Sequence, residues 1–108
     1  MRFLLLESFR RDLKRLKPEH EAAFRAVVLT TFEPACNAWV AATEAGQPYT
    51  WPASPRVSRL VGTARIRELT WNFASPDGRA TFEFARDDDD GWLCVWRRVG
   101  GHEVFSSP

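Results

Sequence analysis

The sequence predicts an α+β domain: a short N-terminal strand, a helix hairpin, and an antiparallel β-meander packed on the helices. Three observations predict it. Apolar residues recur at helical spacing between Phe9 and Phe32, and the period changes to two from Thr63 onward. Ser75-Pro76-Asp77-Gly78 and Asp87 to Gly91 supply turn chemistry between the later apolar runs. At 108 residues the chain has the length of a single domain, taken here as 1–108.

The first strand is read over Arg2 to Glu7, a short apolar run with a helix start behind it. Ser8 is the expected N-cap. Phe9, Leu13 and Leu16 then make one helical stripe, while Arg10, Arg11, Lys14, Arg15 and Lys17 cover the other side. Pro18 suits the first turn of a second helix, with Glu19 and Glu21 favourable at its positive end. Phe24, Val27, Val28 and Phe32 continue the apolar stripe, so the two helices should face each other. Pro34 lacks an amide proton and clashes with the preceding turn, which predicts an end or kink near Phe32. Ala35 to Ala45 reads as a further helical piece, with Ala38, Trp39 and Ala42 inward and Gly46 closing it.

Gln47 to Pro55 holds three prolines with Tyr49 and Trp51, a loop whose aromatics must pack on something. Strands follow at Thr63 to Phe73, Arg79 to Arg86 and Trp92 to Val99. In the middle one Ala80, Phe82 and Phe84 alternate with Arg79, Thr81 and Glu83, giving a core face and a polar face. Parity leaves the inward side of the last strand open, and the mixed faces of the first suggest a bulge there. Gly100-Gly101 turns the chain into a short extended tail through Phe105.

Composition excludes whole classes. With 44% hydrophobic and 27% charged residues, the chain is neither disordered, collagenous nor membrane-spanning. The net charge of +1 is a cancellation: residues 1–17 sum to +4, 18–55 to −3, 56–86 to +3, Asp87 to Asp90 to −4, and the remainder to +1. Without the aspartate run the chain stands at +5, and after Lys17 every base is an arginine, the side chain suited to bidentate phosphate contact. The run itself lacks the spacing and closing glutamate of an EF-hand and reads as a solvated hairpin tip. Cys36 and Cys94 have no second ligand at metal spacing and read as core residues. The run Phe3 to Leu6 is too short for a signal-peptide core, so a cytoplasmic protein is expected.

Several segments together carry a family resemblance. Ser8-Phe9-Arg10-Arg11-Asp12-Leu13-Lys14-Arg15-Leu16, Arg56-Val57-Ser58-Arg59-Leu60-Val61-Gly62 with Ile66-Arg67-Glu68-Leu69, Gly78-Arg79-Ala80-Thr81-Phe82-Glu83-Phe84, and Val99-Gly100-Gly101-His102-Glu103-Val104-Phe105 occur in that order. The chain thereby resembles the RelE/ParE superfamily of bacterial type II toxins, in particular its RelE, YoeB and YafQ-like RNase branch. Residues 34–55 are unmatched. The resemblance implies a ribosome-dependent mRNA endonuclease, with a cognate antitoxin, the ribosome and mRNA as partners and with no cofactor, metal or membrane. The runner-up reading is a ParE-like DNA gyrase poison of the same fold, and a third is a non-catalytic binding module.

Such cleavage uses the substrate's own 2′-hydroxyl against the adjacent phosphate. The protein must help remove that proton, stabilise the added charge and protonate the leaving 5′-oxygen. The resemblance implies His102, at the family's tail histidine, and Arg79, at its strand arginine, as catalytic residues; Arg98 is a third candidate, sharing the polar face of Arg79 if Leu93, Val95 and Val99 turn inward. Arg59, Arg65 and Arg67 are the expected RNA binders. The bland readings stand beside these: a surface-loop histidine, strand arginines paired with acids, and ordinary exposed sheet charge. Glu68 and Glu103 are carboxylates near these positions, read as salt-bridge partners before bases. His20 is assigned no chemistry. Trp92 and Trp96 either stack bases or sit in the core. Phe105 stands where several family members have a tyrosine, and the family's lysines are missing, which leaves His102 with arginines as the acid-base set. The aspartate run should then lie away from His102 and Arg79.

Overall fold

A computed structural model describes residues 1–60, 62–72, 77–89 and 91–108, the side chains of Asn72, Asp77 and His102 excepted. The turn expected at Ser75-Pro76, the strand end at Phe73, and Val61 and Asp90 lie outside the described residues. The elements are β1 (Arg2–Leu5), α1 (Glu7–Arg15), α2 (Pro18–Val27), α3 (Glu33–Glu44), β2 (Arg56–Arg59), β3 (Arg67–Asn72), β4 (Asp77–Asp87) and β5 (Gly91–Gly100). This is the expected α+β class. Its sheet is five-stranded in the order β1-β5-β4-β3-β2, with β1 parallel to β5 and every other pair antiparallel. Among the described residues no helix is long and apolar enough to cross a membrane.

Pro34 does not end the helix. A π-helical turn over Val28–Phe32 joins α2 to α3, and the Glu33 N–H donates to the Val28 carbonyl one residue further back than in an α-helix. The wider turn accommodates a proline that cannot donate. The joined helix over 18–44 is about 40 Å long at 1.5 Å per residue, matching the molecule's longest extent of 39 Å. Its inward residues after Pro34 are Ala35 and Cys36, with Trp39 half-buried, whereas Ala38 is exposed, against expectation. Gly46 closes α3 as expected, with φ +67 and its N–H on the Thr43 carbonyl.

Aromatic residues fill the space between helices and sheet. Trp96 is 2% exposed and meets Phe9, Phe24, Phe32 and Phe82 at centroid distances of 5.1–5.6 Å. Each such pair contributes about 0.5–1.5 kcal/mol beyond area burial. Trp96 is therefore a core residue, and Phe9 against Phe24 at 5.7 Å joins α1 to α2 through their facing stripes. Trp51 from the proline-rich loop lies parallel to Phe84 and Phe32, which is where that loop's aromatics pack.

Three strand expectations need correction. Arg56–Arg59 is a strand pairing with β3, and β3 begins at Arg67, not Thr63. The irregularity lies between β4 and β5: Thr81 opposes Arg98 while Phe82 opposes Trp96, leaving Arg97 as the extra residue. That bulge is why no single parity fits β5, since Cys94 and Trp96 face the helices before it and Val99 after it. The tail is a 3-10 turn over His102–Ser106 and not an extended piece.

Where β1 stops, α1 takes over the edge of β5. The Leu6 N–H donates to the Trp96 carbonyl, the Ser8 hydroxyl to the Arg97 carbonyl at 2.7 Å, and the Val99 N–H to Asp12 at 3.1 Å. Ser8 thus lies inside α1 and serves the sheet instead of capping the helix.

Candidate functional site

Alternation along β4 places Ala80 and Phe82 in the core and Arg79, Thr81 and Glu83 on the opposite face, as expected. The C-terminal segment crosses that opposite face. Thr81 donates to the Pro108 carbonyl at 3.2 Å, and Val104 is 1% exposed. Arg79 is half-buried at the strand end opposite Gly100, with its guanidinium 5.9 Å from the Phe105 ring centroid. Thr70 is its cross-strand neighbour on β3 and holds a buried hydroxyl with no hydrogen-bond partner among the described residues. From Gly100 the chain passes through Gly101 into the turn that His102 opens, so the backbones of Arg79 and His102 share one end of the sheet. The His102 side chain lies outside the described residues.

Glu103 has a local duty. Its carboxylate accepts the Gly101 N–H at 3.1 Å. A Cβ on Gly101 would stand 2.7 Å from that carboxylate, so glycine permits the close approach. Glu68 accepts from Ser58 at 2.8 Å and lies 3.8 Å from Arg56, the structural pairing expected of it.

Arg98 is at the same end, but its charge is engaged. Its Nε and Nη2 donate to the two Asp12 oxygens at 2.6 and 3.2 Å, and Nη1 donates to the Ser107 carbonyl at 2.9 Å. The hydrogen bond to Asp12 holds Arg98 above its ordinary pKa despite partial burial. Asp12 is 7% exposed and serves both Arg98 and the Val99 N–H. Sequence reasoning assigned nothing to Asp12, because its partners lie more than eighty positions away. His20, also without an assigned role, lines a cavity of about 360 Å³ together with Asp12, Arg15, Arg98, Gly101 and Glu103.

Arg59, Arg65 and Arg67 form a separate group on the other side of the sheet. Arg67 opposes Phe82, so it takes the helix-facing side, and Arg59 opposes Arg67 directly. With Trp39, Phe84 and Trp92 the three arginines line a recess of about 220 Å³. Trp39 stacks on Phe84 at 4.0 Å and 11°, and Arg67 lies 5.4 Å from each ring centroid. Burial, and after it the Arg59 charge, pulls the Arg67 pKa below its ordinary value. The nearby Cys36 thiol is pushed up to about 12 by burial and supplies no compensating anion. Trp92 belongs to this recess, and its indole N–H is buried without an acceptor among the described residues.

The five arginine candidates therefore divide between opposite faces of the sheet, Arg79 and Arg98 on one and Arg59, Arg65 and Arg67 on the other. Asp87 to Asp89 are at the far tip of the β4–β5 hairpin: Asp87 opposes Gly91, whereas Arg79 opposes Gly100. Eight steps along the strand lead from Arg79 to Asp87, about 26 Å at 3.3 Å per residue. Scans against protein-family models, curated proteins and solved structures return no match to this chain.

Proposed function

We propose that this chain is a RelE-like toxin of a bacterial type II toxin-antitoxin pair, a cytoplasmic, ribosome-dependent mRNA endonuclease whose cleavage uses the 2′-hydroxyl of its substrate. One observation carries the reading: Arg79, on the sheet face turned away from the helices, opposes the glycine that leads into the His102 turn, while Asp87 to Asp89 occupy the opposite hairpin tip. In this reading Arg79 stabilises the charge added to the phosphate, and His102 exchanges a proton with the attacking or leaving oxygen near neutral pH. Arg98, neutralised by Asp12, holds the strand end in position and does not act as a free phosphate ligand.

Expression should arrest bacterial growth, and transcripts should be cut only where ribosomes translate them. His102→Ala and Arg79→Ala should each reduce cleavage by about 10²–10⁴, the usual contribution of a positioned acid, base or charge. Primer extension on a reporter transcript measures it. Cleavage by His102→Ala at the parent rate would overturn the site assignment, and a DNA-damage response with intact transcripts would select gyrase poisoning. Growth without arrest from folded protein would select a binding module. A neighbouring reading frame encoding an antitoxin that relieves arrest on co-expression is the expected partner.

A further inference from the structure

We propose that the recess that Arg59, Arg65 and Arg67 line together with Trp39 and Phe84 binds the phosphodiester backbone of single-stranded nucleic acid, at a site separate from Arg79 and on the opposite face of the sheet. The proposal rests on the nuclease reading only for the identity of the natural strand, which would be mRNA.

The arrangement of charge is the first argument. Arg59 and Arg67 are directly opposed across two strands, and among the described residues no carboxylate forms an ion pair with Arg59, Arg65 or Arg67. Opposed like charges destabilise a sheet, so the fold gains nothing from this pairing and an external anion would neutralise it. The preparation of Arg67 is the second. Its guanidinium lies 5.4 Å from the centroids of both stacked rings, a contact that holds the side chain without occupying its N–H groups and leaves them for an acceptor outside. The third is residue type: all three cations are arginines, whose paired donors match a phosphate's oxygens. Arg86 adds to the same side, its guanidinium 5.6 Å from the Trp92 centroid. Guanidinium planes and an indole at the rim of an open recess suit unpaired bases, which a duplex keeps stacked out of reach.

The test is fluorescence anisotropy with a labelled oligouridine of about twelve nucleotides, without ribosomes and without cleavage. The full chain should bind it, and Arg59→Gln/Arg65→Gln should weaken binding at least about tenfold. The slope of log affinity against log salt should fall by about 1.4, or 0.7 for each lost phosphate contact on a single strand. Both side chains are exposed, so the variant should fold like the parent and melt no lower. Arg67→Lys, which keeps the charge and loses the fork, should weaken binding several-fold. A control with the same charge loss elsewhere, Lys17→Gln/Arg25→Gln, should stay within about twofold.

The proposal is overturned if that control loses as much as the Arg59/Arg65 variant, if the latter binds like the parent, or if duplex RNA or polyglutamate displaces the oligouridine as well as unlabelled strand does. Because no step is cleaved, failure of the nuclease reading with binding intact leaves this site standing. Intact cleavage with no binding here removes it alone.

Discussion

Arg98 and Arg67 lie on opposite faces of one small sheet, on strands separated by β4, and their charges meet opposite fates. Arg98 has both Asp12 oxygens and a carbonyl around it. Arg67 has another arginine opposite and two stacked aromatic rings beside it. The first arrangement closes a strand edge and serves the fold. The second costs the fold something and has no internal remedy, since the adjacent Cys36 stays a neutral thiol. Burial alone does not mark a functional arginine, and the identity of its neighbours separates the two cases.

The largest effect that would test this contrast is at Asp12. Asp12→Ala should lower stability by about 3 kcal/mol, near the lower end for breaking a buried pair because Arg98 retains some water contact. Urea denaturation measures it. In a double-mutant cycle, Arg98→Met on the Asp12→Ala background should restore part of the loss, since the uncompensated cation is then gone. Equal additive losses would show the pair to be merely adjacent.

An intermediate effect concerns Cys36. Its folded pKa of about 12 lies above the ordinary 9.0, so the unfolded chain releases this proton first as pH rises. Stability from this group is complete below pH 9 and falls by about 1.4 kcal/mol per unit between 9 and 12. Cys94 is shifted in the same direction by burial and steepens the fall. Cys36→Ala should flatten alkaline unfolding curves relative to the parent, and unchanged curves would mean that the thiol beside Arg67 ionises in place. The smallest effect is at Arg59: Arg59→Gln should raise stability by about 0.5 kcal/mol at low salt by removing the opposed charge. The gain should shrink as salt screens the parent. A loss would mean that Arg59 holds an internal partner.

Much of this architecture was legible in local pattern. The alternation of Ala80, Phe82 and Phe84 with Arg79 and Thr81 identified the two faces, and Gly46 marked the end of α3. What escaped was set by contacts distant in sequence. Pro34 alone forecasts a break, but the π-helical turn before it allows the helix to continue. The bulge at Arg97 exists because β5 must place both Trp96 and Val99 against the helices. At the candidate site, parity put Arg79 on the polar face and the family resemblance singled it out, while the partnership of Asp12 with Arg98 and the stacked Trp39 and Phe84 beside Arg67 have no local signature.

The parallel pairing of β1 with β5 also governs when the molecule can exist. Phe3 lies beside Cys94, about ninety positions later, so the first strand emerges from the ribosome with no partner available. At synthesis rates of about 5–20 residues per second, it waits several seconds before β5 appears between it and β4. Arg79 waits too, because its neighbour Gly100 belongs to that same last strand. A nascent chain therefore carries its cationic residues past the ribosome's own RNA before the sheet that organises them has closed, so any activity that depends on that sheet begins only after synthesis of the last strand.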